Sequence, residues 1–379
     1  MTDTTHAPRH TAATVAALPG SAAERFTDRV AARYRGDGEW RELSYGEFGT
    51  AIEQIALGLA DLGIEPGDRV CVLADTRLEW TLASYGISAA GAVVVPIYPT
   101  NSPPECAWVA GNSQARAVIC ENEEQVRKIE QVRSELPALE HVIGIEAGVG
   151  ELTLDDLRAR GRTGDRRELE PRQAGVGPDD PYTIVYTSGT TGPPKGVVLT
   201  HANAMSVCKI VEELQFVQAD EVTYLYLPLA HVLALITQLA STDQGTAIVY
   251  FGGDTKQILP ELIECKPTYL PSVPRIFEKL YAAAMKLQEQ ASDEERERFR
   301  RAIELGIEVR RRHQHGEPVP EELDRANANY ARVEQIKRFV ILDHDLAIET
   351  GELTPTLKVK HNVINDRYEE LFDSLYSSG

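Results

Sequence analysis

Four short apolar runs punctuate the first part of this chain: VCVL at Val70–Leu73, VVVPI at Val93–Ile97, AVIC at Ala117–Cys120 and VIGI at Val142–Ile145. None of them alternates polar with apolar residues, so each is read as a strand buried on both faces rather than one resting against water. Stretches long enough to be helices separate them, following Thr76, Ser102 and Asn122. Strand, helix and strand in that order predict an α/β fold of mostly parallel sheets flanked by helices. An amphipathic helix precedes the first run. Ser44 and Glu47 form a capping box ahead of Phe48, Ile52, Ile55, Leu59 and Leu62, and Gly63 with the Pro66-Gly67 turn ends the helix.

The segment Tyr186–Gly196, YTSGTTGPPKG, joins two β-branched runs, IVY and VVLT. A glycine-rich link between strands is what any tight hairpin needs. This link also gathers Ser188, Gly189, Thr190, Thr191, Gly192 and Lys195. Glycines let backbone N–H groups approach an anion, hydroxyls add short donors, and a lysine supplies a compact positive charge, so the composition suits phosphate. Lys195 is followed by Gly196 and a strand, not by a Ser/Thr that opens a helix, which sets it apart from the common nucleotide loop.

Further on, His201 and Asn203 open a helix, and Val222–Leu227 reads as a strand running into Pro228, Leu229, Ala230 and His231. A histidine at a strand end sits where open α/β sheets bind ligands; a core histidine bonded to backbone is the plainer account. Ala247–Phe251 and Thr268–Leu270 are two more strands, and a helix beyond them carries Phe277, Leu280, Tyr281, Ala284 and Leu287, with Arg275 read as structural. Residues 159–180, rich in Arg, Gly and Asp, read as an exposed connection, and the charged run 293–312 as a solvated helix.

The phosphate-loop string closely resembles that of the adenylate-forming enzymes. LPLAHV at Leu227–Val232 and PTYLPSVPRIFEKLY at Pro267–Tyr281 resemble the long-chain fatty acyl-CoA synthetases among them. Residues 330–364, YARVEQIKRFVILDHDLAIETGELTPTLKVKHNVI, resemble the C-terminal end of that family, with His361 where arginine is usual. The resemblance implies ATP-dependent activation of a fatty acid through an acyl-adenylate, followed by transfer to coenzyme A, with Mg2+ accompanying ATP. It implies Ser188, Gly189, Thr190, Thr191, Gly192 and Lys195 as phosphate-binding residues. Thr187, His231 and Lys358 are implied as catalytic, His231 beside the acyl group and Lys358 between carboxylate and phosphate. Another carboxylic acid as substrate, or a non-catalytic protein that binds nucleotide or acyl groups, are the alternatives. Between the charged helix and Tyr330 the sequence passes over what the family carries there: after the phosphate loop there is no Tyr-Gly-x-Thr-Glu string, whose glutamate holds magnesium, and no Thr-Gly-Asp string, whose aspartate binds ribose. The expected organisation is a flexible leader over 1–22, a partial AMP-binding domain over 23–327 and a small α+β remnant of the C-terminal lid domain over 328–379.

Composition narrows the partners. With 39 Lys plus Arg against 58 Asp plus Glu, the net charge of -19 argues against nucleic acid and anionic lipid as partners. Five cysteines without metal spacing read as reduced core thiols. The N-terminus lacks a signal-peptide pattern and no apolar window is long enough for a membrane span, so a cytoplasmic protein is expected, with peripheral membrane contact through an apolar patch left open.

Overall fold

A computed structural model describes residues 12–36, 38–187, 193–214, 217–274 and 276–278, with scattered positions between 281 and 311. In order the elements are α1 (Leu18–Phe26), β1 (Val30–Gly36), β2 (Glu39–Ser44), α2 (Tyr45–Asp61), β3 (Arg69–Leu73), α3 (Leu78–Ala89), β4 (Val93–Ile97) and α4 (Pro103–Ser113). Then come β5 (Ala117–Cys120), α5 (Glu123–Val132), β6 (His141–Gly144), β7 (Leu152–Thr153), α6 (Leu154–Gly161), α7 (Leu169–Ala174), β8 (Pro181–Thr187), β9 (Lys195–Thr200) and α8 (His201–Leu214). The last are β10 (Val222–Leu225), α9 (Val232–Gln244), β11 (Ala247–Tyr250) and α10 (Ile258–Cys265). All belong to one compact unit, residues 1–280. The expected α+β piece over 328–379 lies outside the described residues.

Two sheets organise this unit. The larger has strand order β7-β6-β5-β3-β4-β8-β9 and is parallel except for the β8–β9 pair. The smaller has order β10-β11-β1-β2, parallel except for β1–β2. The four apolar runs become the middle of the larger sheet, and their successive side chains go to opposite faces. Val70, Val72, Ala117, Ile119 and Ile143 join one core cluster, whereas Cys71, Leu73, Val118, Cys120 and Val142 join another. This two-sided burial is why the runs carry no alternation.

The capping box expected at the start of α2 is present, and the helix expected after Asn122 is capped by that residue. Ser44 caps α2 in a reciprocal box with Glu47, and Asn122 caps α5 through the Gln125 N–H. The connection 159–180 is not a bare exposed link, because it holds the end of α6 and all of α7. Leu157 and Gly161 are buried where α6 crosses α2. A Cβ on Gly161 would stand 1.8 Å from the Gln54 carbonyl oxygen, and one on Gly58 would stand 2.2 Å from that of Leu157. Two glycines therefore allow a helix crossing that the charged sequence conceals. The β1–β2 hairpin was likewise not expected, although Asp37-Gly38 with Gly38 at φ +83° is a turn signal.

Order also begins earlier than Ala23. Ala12, Val15, Leu18 and Ala22 are buried in the main core, and α1 starts at Leu18. One bond ties this segment down: the Val15 N–H donates to His201 Nδ1 at 3.1 Å, beside the Tyr182 ring. Burial lowers the His201 imidazole from 6.5 to about 4, against the pull of Asp180. An unfolded chain protonates this histidine near its ordinary pKa of about 6.5. The native contribution is therefore complete above that pH and is lost as pH falls toward the folded value. Urea unfolding at about pH 5 should show a loss of about 2 kcal/mol from this site relative to neutral pH. His201→Gln, which keeps an acceptor for Val15, should remove that part of the pH dependence; an unchanged profile would discard the assignment.

Candidate functional site

The phosphate-loop string is mounted on an antiparallel hairpin. Thr187 ends β8 and faces Lys195, which begins β9, and Tyr186 faces Gly196. A Cβ at Gly196 would come within 2.9 Å of Ile184 Cγ2 and 3.1 Å of Tyr186 Cζ, so only glycine lets the Tyr186 ring lie across the strand pair. Thr187 and Lys195 are both exposed at the hairpin's open end. Ser188, Gly189, Thr190, Thr191 and Gly192 lie outside the described residues, as do Arg275 and Lys358. At the other end of β9, the Thr200 N–H donates to Asn203 Oδ1 at 3.0 Å and the Asn203 N–H donates to Thr200 Oγ1 at 3.2 Å. That reciprocal pair turns the hairpin directly into α8.

His231 stands after the carboxyl end of β10, on the turn that leads into α9. It is not a core histidine: it is exposed and caps α9, its Nδ1 accepting the Leu233 N–H at 3.2 Å. In the neutral ring this places the proton on Nε2. Thr76, buried just past β3, holds the turn in place by donating to the Leu227 carbonyl at 2.7 Å and accepting the Leu229 N–H at 3.1 Å. One hydroxyl thus satisfies both backbone groups flanking Pro228. Sequence reasoning missed Thr76, since its partners lie about 150 positions away.

The strand that leads into the first of the two strings carrying the acyl-CoA synthetase resemblance meets the second string here. Tyr226 and Ser272 share a hydroxyl bond of 2.5 Å, the Tyr224 N–H donates to the Tyr269 carbonyl at 3.1 Å, and Thr223 and Tyr269 form a parallel bridge. The Tyr224 hydroxyl, on the same strand, donates to buried Glu261 at 2.6 Å, and Glu261 also accepts the Gly252 N–H. The polar groups near the strand ends are therefore largely spent on shaping turns. Asp165, in a Thr-Gly-Asp string ahead of the loop, is spent on Arg167 and its N–H.

The thiols offer no nucleophile. All five are free; burial pushes Cys71 up to about 12 and Cys106 up to about 11, and the others rise for the same reason. Among the described residues no group of three His, Cys, Asp or Glu side chains is placed to hold a metal, and no helix is long and apolar enough to cross a membrane.

A model of the AMP-binding enzyme family matches residues 20–337. The chain belongs to that family. Among its relatives, the long-chain-fatty-acid–CoA ligase FadD15 of Mycobacterium bovis is 40% identical over 256 residues, 65% of this chain and 41% of that protein. The peroxisomal long chain acyl-CoA synthetase 6 of Arabidopsis thaliana is 33% identical over 258 residues, 65% of this chain and 36% of that one. The chain thus spans about two fifths of the length of these curated relatives. Among solved structures it is similar to the N-terminal domain of FACL13 from Mycobacterium tuberculosis, with a TM-score of 0.61, 26% identity and coverage of 70% of this chain and 64% of that one. A fatty acyl CoA synthetase of Mycobacterium tuberculosis matches with a TM-score of 0.57 and 26% identity over 66% of this chain and 47% of that one. The parallel sheets read from the sequence are those of a family N-terminal domain.

Removing the Thr76 hydroxyl would leave the buried Leu227 carbonyl and Leu229 N–H without their shared partner. Thr76→Val should cost about 1–3 kcal/mol in urea unfolding, while Thr76→Ser should stay near wild type. Equal stabilities for the two variants would show that the hydroxyl does not hold the turn.

Proposed function

We propose that this chain activates a long-chain fatty acid by adenylation. In that reaction a carboxylate oxygen of the fatty acid attacks the α-phosphorus of ATP and pyrophosphate leaves. The thiolate of coenzyme A then attacks the acyl carbon of the acyl-adenylate and AMP leaves. The observation that carries this reading is the hairpin that ends in Thr187 and restarts at Lys195, in a chain 40% identical over its matched part to a long-chain-fatty-acid–CoA ligase. Lys195, together with Ser188, Gly189, Thr190, Thr191 and Gly192, would hold the phosphates; backbone donors and a point charge are the right means for a polyanion. Thr187 stands at the same mouth. His231 would border the acyl group, and Lys358 would offset charge developing on the α-phosphate oxygens. Magnesium would enter with ATP, and coenzyme A as the second substrate.

The lack of the magnesium and ribose strings between the phosphate loop and Tyr330 supports a second reading. In it the chain binds nucleotide or acyl groups without turnover. Fatty-acid-dependent exchange of labelled pyrophosphate into ATP separates the two. Exchange by wild type, reduced about 100-fold or more by Lys195→Ala and by Lys358→Ala, is the expected result. A folded wild-type chain that binds ATP without exchange would replace adenylation by the binding reading.

A further inference from the structure

The hairpin that carries the phosphate loop has strand support on one side only. β9 ends the larger sheet, pairing with β8, and its Val197 and Val198 are 45% and 52% exposed. A two-stranded projection held by a single ladder opens readily. Yet both of its arms are gripped by one helix. α4 is firmly built: Ser102 and Glu105 form a capping box, Pro103 starts the first turn, and Gln114 closes the C-terminal end in the left-handed region at φ 54°. Its inner face, Cys106, Ala107, Val109, Ala110 and Ser113, is buried.

Trp108 and Asn112 stand one helical turn apart on α4 and outside that buried face. Each reaches a different arm of the hairpin. Asn112 Oδ1 accepts the Tyr186 hydroxyl of β8 at 2.7 Å, and the Trp108 indole N–H donates to the Pro194 carbonyl at 2.8 Å, one residue before Lys195. Trp108 is 40% exposed, so it does not belong to the buried face of α4. We propose that Trp108 and Asn112 form a brace that fixes the spacing of the two arms and so positions the phosphate loop between them. They are positioning residues acting through Tyr186 and Pro194. The effect on nucleotide rests on the adenylating or nucleotide-binding reading above; the effect on the hairpin does not.

Hydrogen exchange on the full chain without nucleotide tests the brace directly. Trp108→Phe keeps the ring and removes the N–H, and Asn112→Leu removes the acceptor; each should speed exchange of the β9 amides about fivefold, as loss of one hydrogen bond allows. Asn112→Asp retains an acceptor for Tyr186 and should exchange like wild type. The β5 amides, which follow α4 in the chain but are separated from the hairpin by β3 and β4 in the sheet, should not change in any variant. ATP affinity, measured separately by calorimetry, should fall about fivefold in Trp108→Phe and Asn112→Leu. β9 exchange equal to wild type in both variants would overturn the brace, as would a matching rise in β5, which marks general loosening of α4. A wild-type chain without ATP affinity would defeat the nucleotide reading while leaving the exchange result to decide the brace.

Discussion

The central strands of the larger sheet have no wet face, and most of what the molecule can do follows from that. β3, β4, β5 and β6 send alternate side chains into two separate apolar clusters, so a polar side chain within them would be buried on either face at considerable cost. Chemistry is thereby pushed to the strand ends, where the chain turns and water or a ligand can reach it. Thr187 and Lys195 flank the hairpin mouth beyond β8, and His231 follows the end of β10. The same constraint explains why the thiols are inert. Cys71, Cys106, Cys120 and Cys208 are buried at strand and helix positions and Cys265 is half-buried, and burial opposes the thiolate.

Strand ends do not orient side chains by themselves, and the structure fixes these turns with a few hydroxyls and amides contributed from other elements. Thr76 serves both backbone groups around Pro228, Asn203 and Thr200 lock the hairpin to α8, and Ser272 joins Tyr226. Each bond is worth only about 1 kcal/mol net. What they supply is direction: a single backbone path at a place where the sheet no longer imposes one.

Most of the larger sheet was legible because its signals are local. The runs at Val93–Ile97 and Ala117–Cys120 match β4 and β5 residue for residue, and the Ser44–Glu47 box starts α2 where expected. The smaller sheet was harder. β1 reads VAARYRG with few large apolar residues, and its parallel partner β11 is more than two hundred positions away. The order of residues 12–22 depends on a core assembled from distant elements and on His201, which a segment rich in Thr and Ala does not announce. The crossing of α6 over α2 depends on two glycines placed far apart in sequence, and neither is informative until the other is known. His231 is a case where the place in the chain was legible and the surroundings were not. Its position after a strand was readable, but its exposure and capping bond to Leu233 were not.

The position of the hairpin at the rim has an energetic consequence. A strand inside a sheet is held by two ladders and can open only with its neighbours, whereas β9 is held by one and can open alone. On the proposed function, phosphate binding between Thr187 and Lys195 would oppose the conformational freedom of the hairpin, at about 1–2 kcal/mol for each backbone residue ordered. Contacts that restrict the arms beforehand lower that cost without touching the ligand. Gly196 contributes by letting the Tyr186 ring cross the strand pair. The ring's hydroxyl in turn ends on Asn112, so the restriction passes from a helix anchored in the second core to the residue beside Thr187. In a loop built from glycines and small hydroxyls, which has little apolar surface of its own to bury, order has to be imported in this way from the elements around it.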